Sequence, residues 1–112
     1  MEIDISDMLI IFDELLPLTD EEQKMYWFKF SRPDQITITF IISEFERNVN
    51  IIVRCNPSIV CTSIKLTHCR TIRVLEIENK TLEVIGGKED YNNRCLISLL
   101  GDTIVAFEDS TF

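Results

Sequence analysis

The single histidine of this sequence, His68, lies beside Cys69. Any Ser–His or Cys–His nucleophilic pair would have to use it. The surrounding residues 66–70 are typical of a strand end that enters a turn, and no glycine lies near enough to form an oxyanion hole. We therefore interpret His68 as a turn residue and predict no catalytic residues.

The other groups that could do chemistry lack the spacing of known sites. The four cysteines do not show the paired two-residue gaps of a zinc site, and His68 and Cys69 would point to opposite faces of a strand. Gly86 and Gly87 fall short of a phosphate-binding loop, and the oxygen-rich run 89–93 does not match a calcium loop. We predict no metal, no cofactor and no enzyme, with the thiols acting as small buried hydrophobes: Cys55, Cys61, Cys69 and Cys95.

Charge is unevenly distributed along the chain, which has 11 basic and 19 acidic residues and a net charge of -8. Most of the excess comes from residues 1–31, which hold eight acids and two bases. This argues against nucleic-acid binding, which needs a basic surface. An acidic region speeds the encounter with a basic partner, although an acidic surface can also serve solubility alone.

The length of 112 residues predicts one domain over 1–112 with its own core. No apolar run approaches the ~20 residues of a membrane span. Glu2 and Asp4 stand where a secretory signal would carry basic residues. The expected location is the cytoplasm, with no membrane partner.

An amphipathic helix is predicted over about 6–16, capped by Ser6 or Asp4 and ended before Pro17. Its apolar arc is expected to face the core: Ile5, Met8, Leu9, Phe12, Leu15 and Leu16. From about residue 25 the period changes from 3.6 to 2, which predicts successive strands up to residue 108. Short connections join them and favour antiparallel pairing. The predicted fold class is α+β: an N-terminal helix packed on an antiparallel sheet of six to eight strands, a sheet that can curl toward a half-barrel.

The back of this helix is the main binding signal. It carries Asp7 and Glu14 in line, flanked by Ile10 and Ile11, which a purely solvated face would not need. Alternatives are that a loop or the tail 110–112 covers one isoleucine, or that both are ordinary exposed residues.

Two further features are less specific. A two-residue turn at Asn79-Lys80 would place Glu76 opposite Glu83, a repulsive pair that needs a cation, such as Arg73 or Lys80, nearby. Trp27 alternates with core aromatics in a strand and is either a core residue or an interface anchor. The predicted partner-binding residues are Asp7, Ile10, Ile11, Asp13, Glu14, Asp20, Glu21, Glu22 and Trp27.

The chain resembles the small acidic immunity proteins that bacteria encode beside secreted polymorphic toxins. Four segments carry the resemblance: FDELLPL at 12–18, MYWFKF at 25–30, FERNV at 45–49 and LISLLGDTI at 96–104. It implies a cytoplasmic antitoxin that binds one cognate toxin domain, expected to be basic, and neutralises it. Two alternatives remain open: another acidic inhibitor, such as a phage-encoded mimic of DNA charge, and a homodimeric structural or adaptor protein.

Overall fold

A computed structural model describes residues 1–16, 19–56, 58–87 and 92–110. The described chain contains one short helix and ten strands. In order they are β1 (Glu2–Ile3), α1 (Ile5–Ile11), β2 (Glu14–Leu15), β3 (Met25–Ser31), β4 (Thr37–Ser43), β5 (Asn48–Asn56), β6 (Ile59–Leu66), β7 (Cys69–Glu76), β8 (Thr81–Gly86), β9 (Asn92–Ser98) and β10 (Val105–Ser110). No helix in these ranges is long and apolar enough to cross a membrane.

The strands form two five-stranded sheets, which corrects the expectation of a single sheet. Sheet A has the order β1-β7-β8-β9-β10, and sheet B has the order β2-β3-β4-β5-β6. Successive strands pair antiparallel, as the short turns predict, whereas β1 pairs parallel with β7. The molecule is therefore more β-rich than an α+β fold with one large sheet. The alternation of residue types predicts each strand, but it does not show which strands share a sheet.

Both sheets contribute their inner faces to one core. Phe28, Phe40 and Ile51 of sheet B and Leu82 and Ile97 of sheet A belong to the same buried cluster. Consecutive strand residues point to opposite sides, so the central strands of each sheet give alternate residues to this cluster. Residues such as Trp27 and Glu83 consequently lie on the outer faces.

Helix α1 ends at Ile11, five residues before the predicted end. Phe12 is already extended, with φ -91° and ψ 145°, and its ring packs against Phe28 at 5.3 Å and Phe40 at 5.8 Å between ring centroids. Beyond it, Asp13 N donates to Lys29 O at 3.0 Å, and β2 pairs with β3. A helix this short is marginal by itself, so backbone pairing with β3 outweighs further helical turns.

The shorter helix presents a different face to the core. Met8 and Ile11 are fully buried, whereas Leu9 is 49% exposed. The predicted arc included Leu15 and Leu16, which do not belong to the helix. Because Leu15 and Leu16 are not part of the helix, its buried face includes Ile11 in place of Leu9.

Two predictions about the later hairpins are wrong in detail. The turn after β7 covers 77–80, so Glu76 lies opposite Thr81 and Glu83 lies opposite Arg73. The expected repulsive pair is thus replaced by an attractive one. All four cysteines were expected to be buried free thiols. Cys69 and Cys95 are, but Cys55 and Cys61 are exposed and form a disulfide across the β5–β6 hairpin.

Candidate binding surface

The N-terminal edge, defined here as residues 4–14, runs along one side of the two sheets. Asp4 caps α1, and its Oδ1 accepts a hydrogen bond from Asp7 N at 3.5 Å. The side-chain hydrogen bond with Asp4, together with the repulsion between the two charges, raises the pKa of Asp7. Two carboxylates thus lie close together at the start of the helix, and neither forms an ion pair among the residues described.

The two isoleucines of this edge have opposite environments. Ile10 is 57% exposed, as predicted, but Ile11 is fully buried in the core. The expected exposure of Ile11 is therefore wrong, because the rotated helix face directs it inward. Exposed apolar area comes instead from Leu9 and Ile10 on the edge and from Leu15 just after it.

Asp13 and Glu14 follow the helix and lie beside β3, with Glu14 in the edge strand β2. Asp13 Oδ2 accepts a hydrogen bond from Ser31 N at 2.8 Å, and Glu14 lies opposite Lys29 in the β2–β3 pair. Both acidic side chains are exposed. Asp13 therefore fixes the end of β3 while still contributing charge to the surface.

The acids at 20–22 lie farther along β3, at the end of sheet B where β3 begins. Asp20 Oδ1 accepts hydrogen bonds from the backbone N–H groups of Glu22 and Gln23, at 3.0 and 3.1 Å, and so shapes the turn. Trp27 is half-buried on the outer face of sheet B, and its backbone N–H donates to Thr19 Oγ1 at 3.0 Å. The predicted acids thus lie along one side of sheet B, with Trp27 on the adjoining face.

Sequence reasoning missed the turn between β4 and β5. Glu44 N donates to Lys24 O at 3.0 Å, which joins this turn to the acidic turn at 20–24. Phe45, at its centre, is 69% exposed, and Glu46 beside it is exposed too. In the sequence, Phe45 lies between two acids, Glu44 and Glu46. This pattern indicates a binding residue only once the fold is known to place it beside residues 20–22.

The ion pairs of the described residues lie outside the acidic N-terminal region. The four ion pairs of the described residues join Arg32 to Asp34, Arg73 and Arg94 to Glu83, and Arg94 to Glu108. None of them includes an acid from residues 1–31. The negative charge of the N-terminal edge is therefore available to a partner.

The chemical candidates of the sequence do not assemble a reactive site in the described part of the chain. His68 is an exposed turn residue with φ 55°. Burial, aided by the nearby Cys95, raises the pKa of Cys69 to about 11, and burial raises the pKa of Cys95 to about 11. Both thiols are thus protonated at neutral pH and unreactive. Within the same ranges, no group of three or more His, Cys, Asp or Glu residues could hold a metal ion. Most of the oxygen-rich run 89–93 lies outside the described residues.

A cavity of about 420 Å³ lies away from the N-terminal edge, between the end of β6 and the strands of sheet A. Its lining includes Lys65, Cys69, Arg94, Cys95 and Phe107. None of the predicted partner-binding residues lines it.

No protein-family profile matches the chain, and no curated protein sequence matches it. In fold, it is similar to a chain of the contact-dependent growth inhibition toxin–immunity protein complex from Klebsiella pneumoniae 342. The TM-score is 0.73 at 11% sequence identity, and the match covers 96% of this chain and 92% of that chain. The resemblance to proteins of bacterial toxin–immunity systems, first suggested by the sequence, is thus confirmed at the level of the fold.

Proposed function

We propose that this chain is an immunity protein that binds a cognate bacterial toxin domain and neutralises it through its acidic N-terminal surface. The observation that carries the proposal is the fold likeness to a chain of a toxin–immunity complex over nearly the full length of both chains. The unpaired acids of residues 1–31 and the exposed apolar residues among them support the choice of surface.

The charge arrangement supports a basic partner. Asp7, Asp13 and Glu14 on the edge and residues 20–22 on the adjoining turn direct negative charge outward. Such a field accelerates encounter with a positively charged domain and suppresses binding to acidic ones. Apolar contacts then slow dissociation, and Ile10 and Trp27 are the predicted residues that can still supply them. Ile11 is removed from this set because its side chain is inside the core.

The direct test is co-expression with the toxin domain encoded by the adjacent gene. We expect this protein to restore growth and to copurify with that domain, and a chain that did neither would contradict the proposal. An unrelated toxin domain is the matched control, because an immunity protein should protect against its cognate toxin alone.

The role of charge is tested by association kinetics. Asp7→Asn combined with Glu14→Gln should slow association about 5-fold or more and flatten its salt dependence, since steering depends on these charges. Thr62→Lys combined with Ser63→Lys makes the same change in net charge at exposed positions on β6. Equal slowing by both pairs would mean that net charge, rather than the acidic edge, determines the rate.

A further inference from the structure

Three elements meet at Lys80, at the end of the molecule where α1 finishes. Lys80 Nζ donates to Ile11 O at 3.3 Å and lies 5.6 Å from the centroid of the Phe30 ring. In the backbone, Lys80 O accepts from Leu99 N at 3.1 Å, and Lys80 N donates to Ile77 O at 3.3 Å. One residue thus fixes α1, the β7–β8 turn and the β9–β10 loop against one another.

Each of these elements exposes a large aliphatic side chain next to that junction. Ile10 adjoins Ile11 and is 57% exposed, Ile77 is 46% exposed, and Leu100 adjoins Leu99 and is 48% exposed. Isolated exposed aliphatics are common, but these three lie on elements that the hydrogen bonds of Lys80 hold together at one end of the molecule. We name Ile10, Ile77 and Leu100 the apolar end patch.

Acids flank the residues of the patch along the chain. Asp7 lies one helical turn before Ile10, Glu76 and Glu78 flank Ile77, and Asp102 follows Leu100 by two residues. None of the ion pairs seen in the described ranges involves these four acids.

The neighbouring cations are used internally. Lys80 is half-buried and bonded to Ile11 O. Arg32, whose side chain is 13% exposed, donates to Leu99 O at 3.4 Å and to Gly101 O at 2.7 Å. The patch therefore presents an apolar centre beside three exposed acids, Glu76, Glu78 and Asp102, of which Glu76 also accepts a hydrogen bond from Asn79 Nδ2.

We infer that the apolar end patch is the anchoring centre of the toxin interface, and that the toxin surface it contacts is an apolar area ringed by lysine or arginine. This inference rests on the proposed function and deepens it. An apolar centre with a polar rim is the usual anatomy of a protein interface, and the acids beside the patch select a basic complement. A second copy of this chain would bring two sets of these acids together, which disfavours it as the occupant.

The test measures affinity for the toxin domain encoded by the adjacent gene. Ile77→Lys and Leu100→Lys should each weaken binding by about 30-fold or more, the loss typical of an interface anchor. Phe107→Lys is the matched control: this residue is 59% exposed on β10 and lines the cavity by β6, so the same substitution should leave affinity within about 3-fold. Thermal unfolding of all three variants checks that the fold is retained, as exposed positions allow.

Hydrogen exchange gives a second readout that needs no substitution. Binding of the toxin domain should slow exchange at residues 77–80 and 99–101 and leave residues 105–108 unchanged. Wild-type affinity in both patch variants, or protection confined to β10, would overturn this inference while leaving the proposed function standing. Failure of the wild-type chain to bind the toxin domain would overturn both. A patch variant that dissociates a dimer of this protein would identify a second copy as the occupant and overturn the inference as well.

Discussion

The N-terminal edge and the outer face of sheet A carry carboxylates in opposite situations. On sheet A, Glu83 is fully buried between Arg73 and Arg94, and Arg94 also pairs with Glu108 at 3.2 Å. On the edge, Glu14 is exposed and Asp7 is half-buried, and neither belongs to any ion pair of the described residues.

The difference separates charge that stabilises the fold from charge that is available for binding. A buried carboxylate must be paired, because leaving it alone costs several kcal/mol. Exposed carboxylates contribute little to the stability of the fold and can interact with a partner. The net charge of the whole chain therefore says less about function than the location of the acids that lack an internal cation.

The largest effect is expected within the N-terminal edge, where the buried residue Ile11 stabilises the fold and the exposed residue Ile10 contributes little. Ile11→Ala should lower the free energy of unfolding by about 2–5 kcal/mol, because it opens a cavity in the core. Ile10→Ala should change it by no more than about 0.5 kcal/mol, as for an exposed residue. Denaturant titration of both variants measures the contrast, and equal losses would show that Ile10 is covered by the protein.

A smaller effect is expected at Glu83. Burial raises the pKa of Glu83, but the hydrogen bonds and charges of Arg94 and Arg73 outweigh it, so that its pKa is lowered overall. Because the folded state holds the proton less tightly than the unfolded state, this carboxylate stabilises the fold above the ordinary glutamate pKa of about 4.3. That contribution is lost as the pH falls through the lowered folded pKa.

Glu83→Gln should therefore cost about 1–3 kcal/mol at pH 7 and weaken the acid dependence of stability. Unfolding curves measured between neutral and acidic pH test this. Glu14→Gln is the control, because an exposed acid should leave the acid dependence nearly unchanged. A pH profile of Glu83→Gln that matches the wild type would contradict the proposed pairing.

The smallest expected effect is a change in the pKa of one carboxyl group on the N-terminal edge, that of Asp7. Asp4→Asn should return the pKa of Asp7 toward its ordinary value, because the raised pKa comes from the hydrogen bond and the charge of Asp4. Asparagine also caps helices well, so α1 should persist. Carboxyl NMR titration measures the change, with Asp13→Asn as the control that should not shift Asp7.

Sequence patterns predicted the strands much better than the surface. Alternation located β3 to β10 because each of these strands buries one face, and period 2 follows directly from backbone geometry. The same logic failed for α1, because the helical pattern continues through Leu15 and Leu16 even though the chain there pairs with β3. The exposure of Ile10 was predicted correctly and that of Ile11 was not, since one helical position separates the two and the helix face had been misplaced.

The sequence by itself determined the concentration of acids before residue 32, the alternating strands and the absence of a recognisable catalytic motif, because these depend on residue type and local spacing. Tertiary structure decided which acids have internal partners. Arg73 and Arg94 reach Glu83 from neighbouring strands, and Lys80 joins Ile11 and Leu99, which are distant from it in the chain. Contacts of this kind depend on strand register and sheet packing, which local patterns leave open.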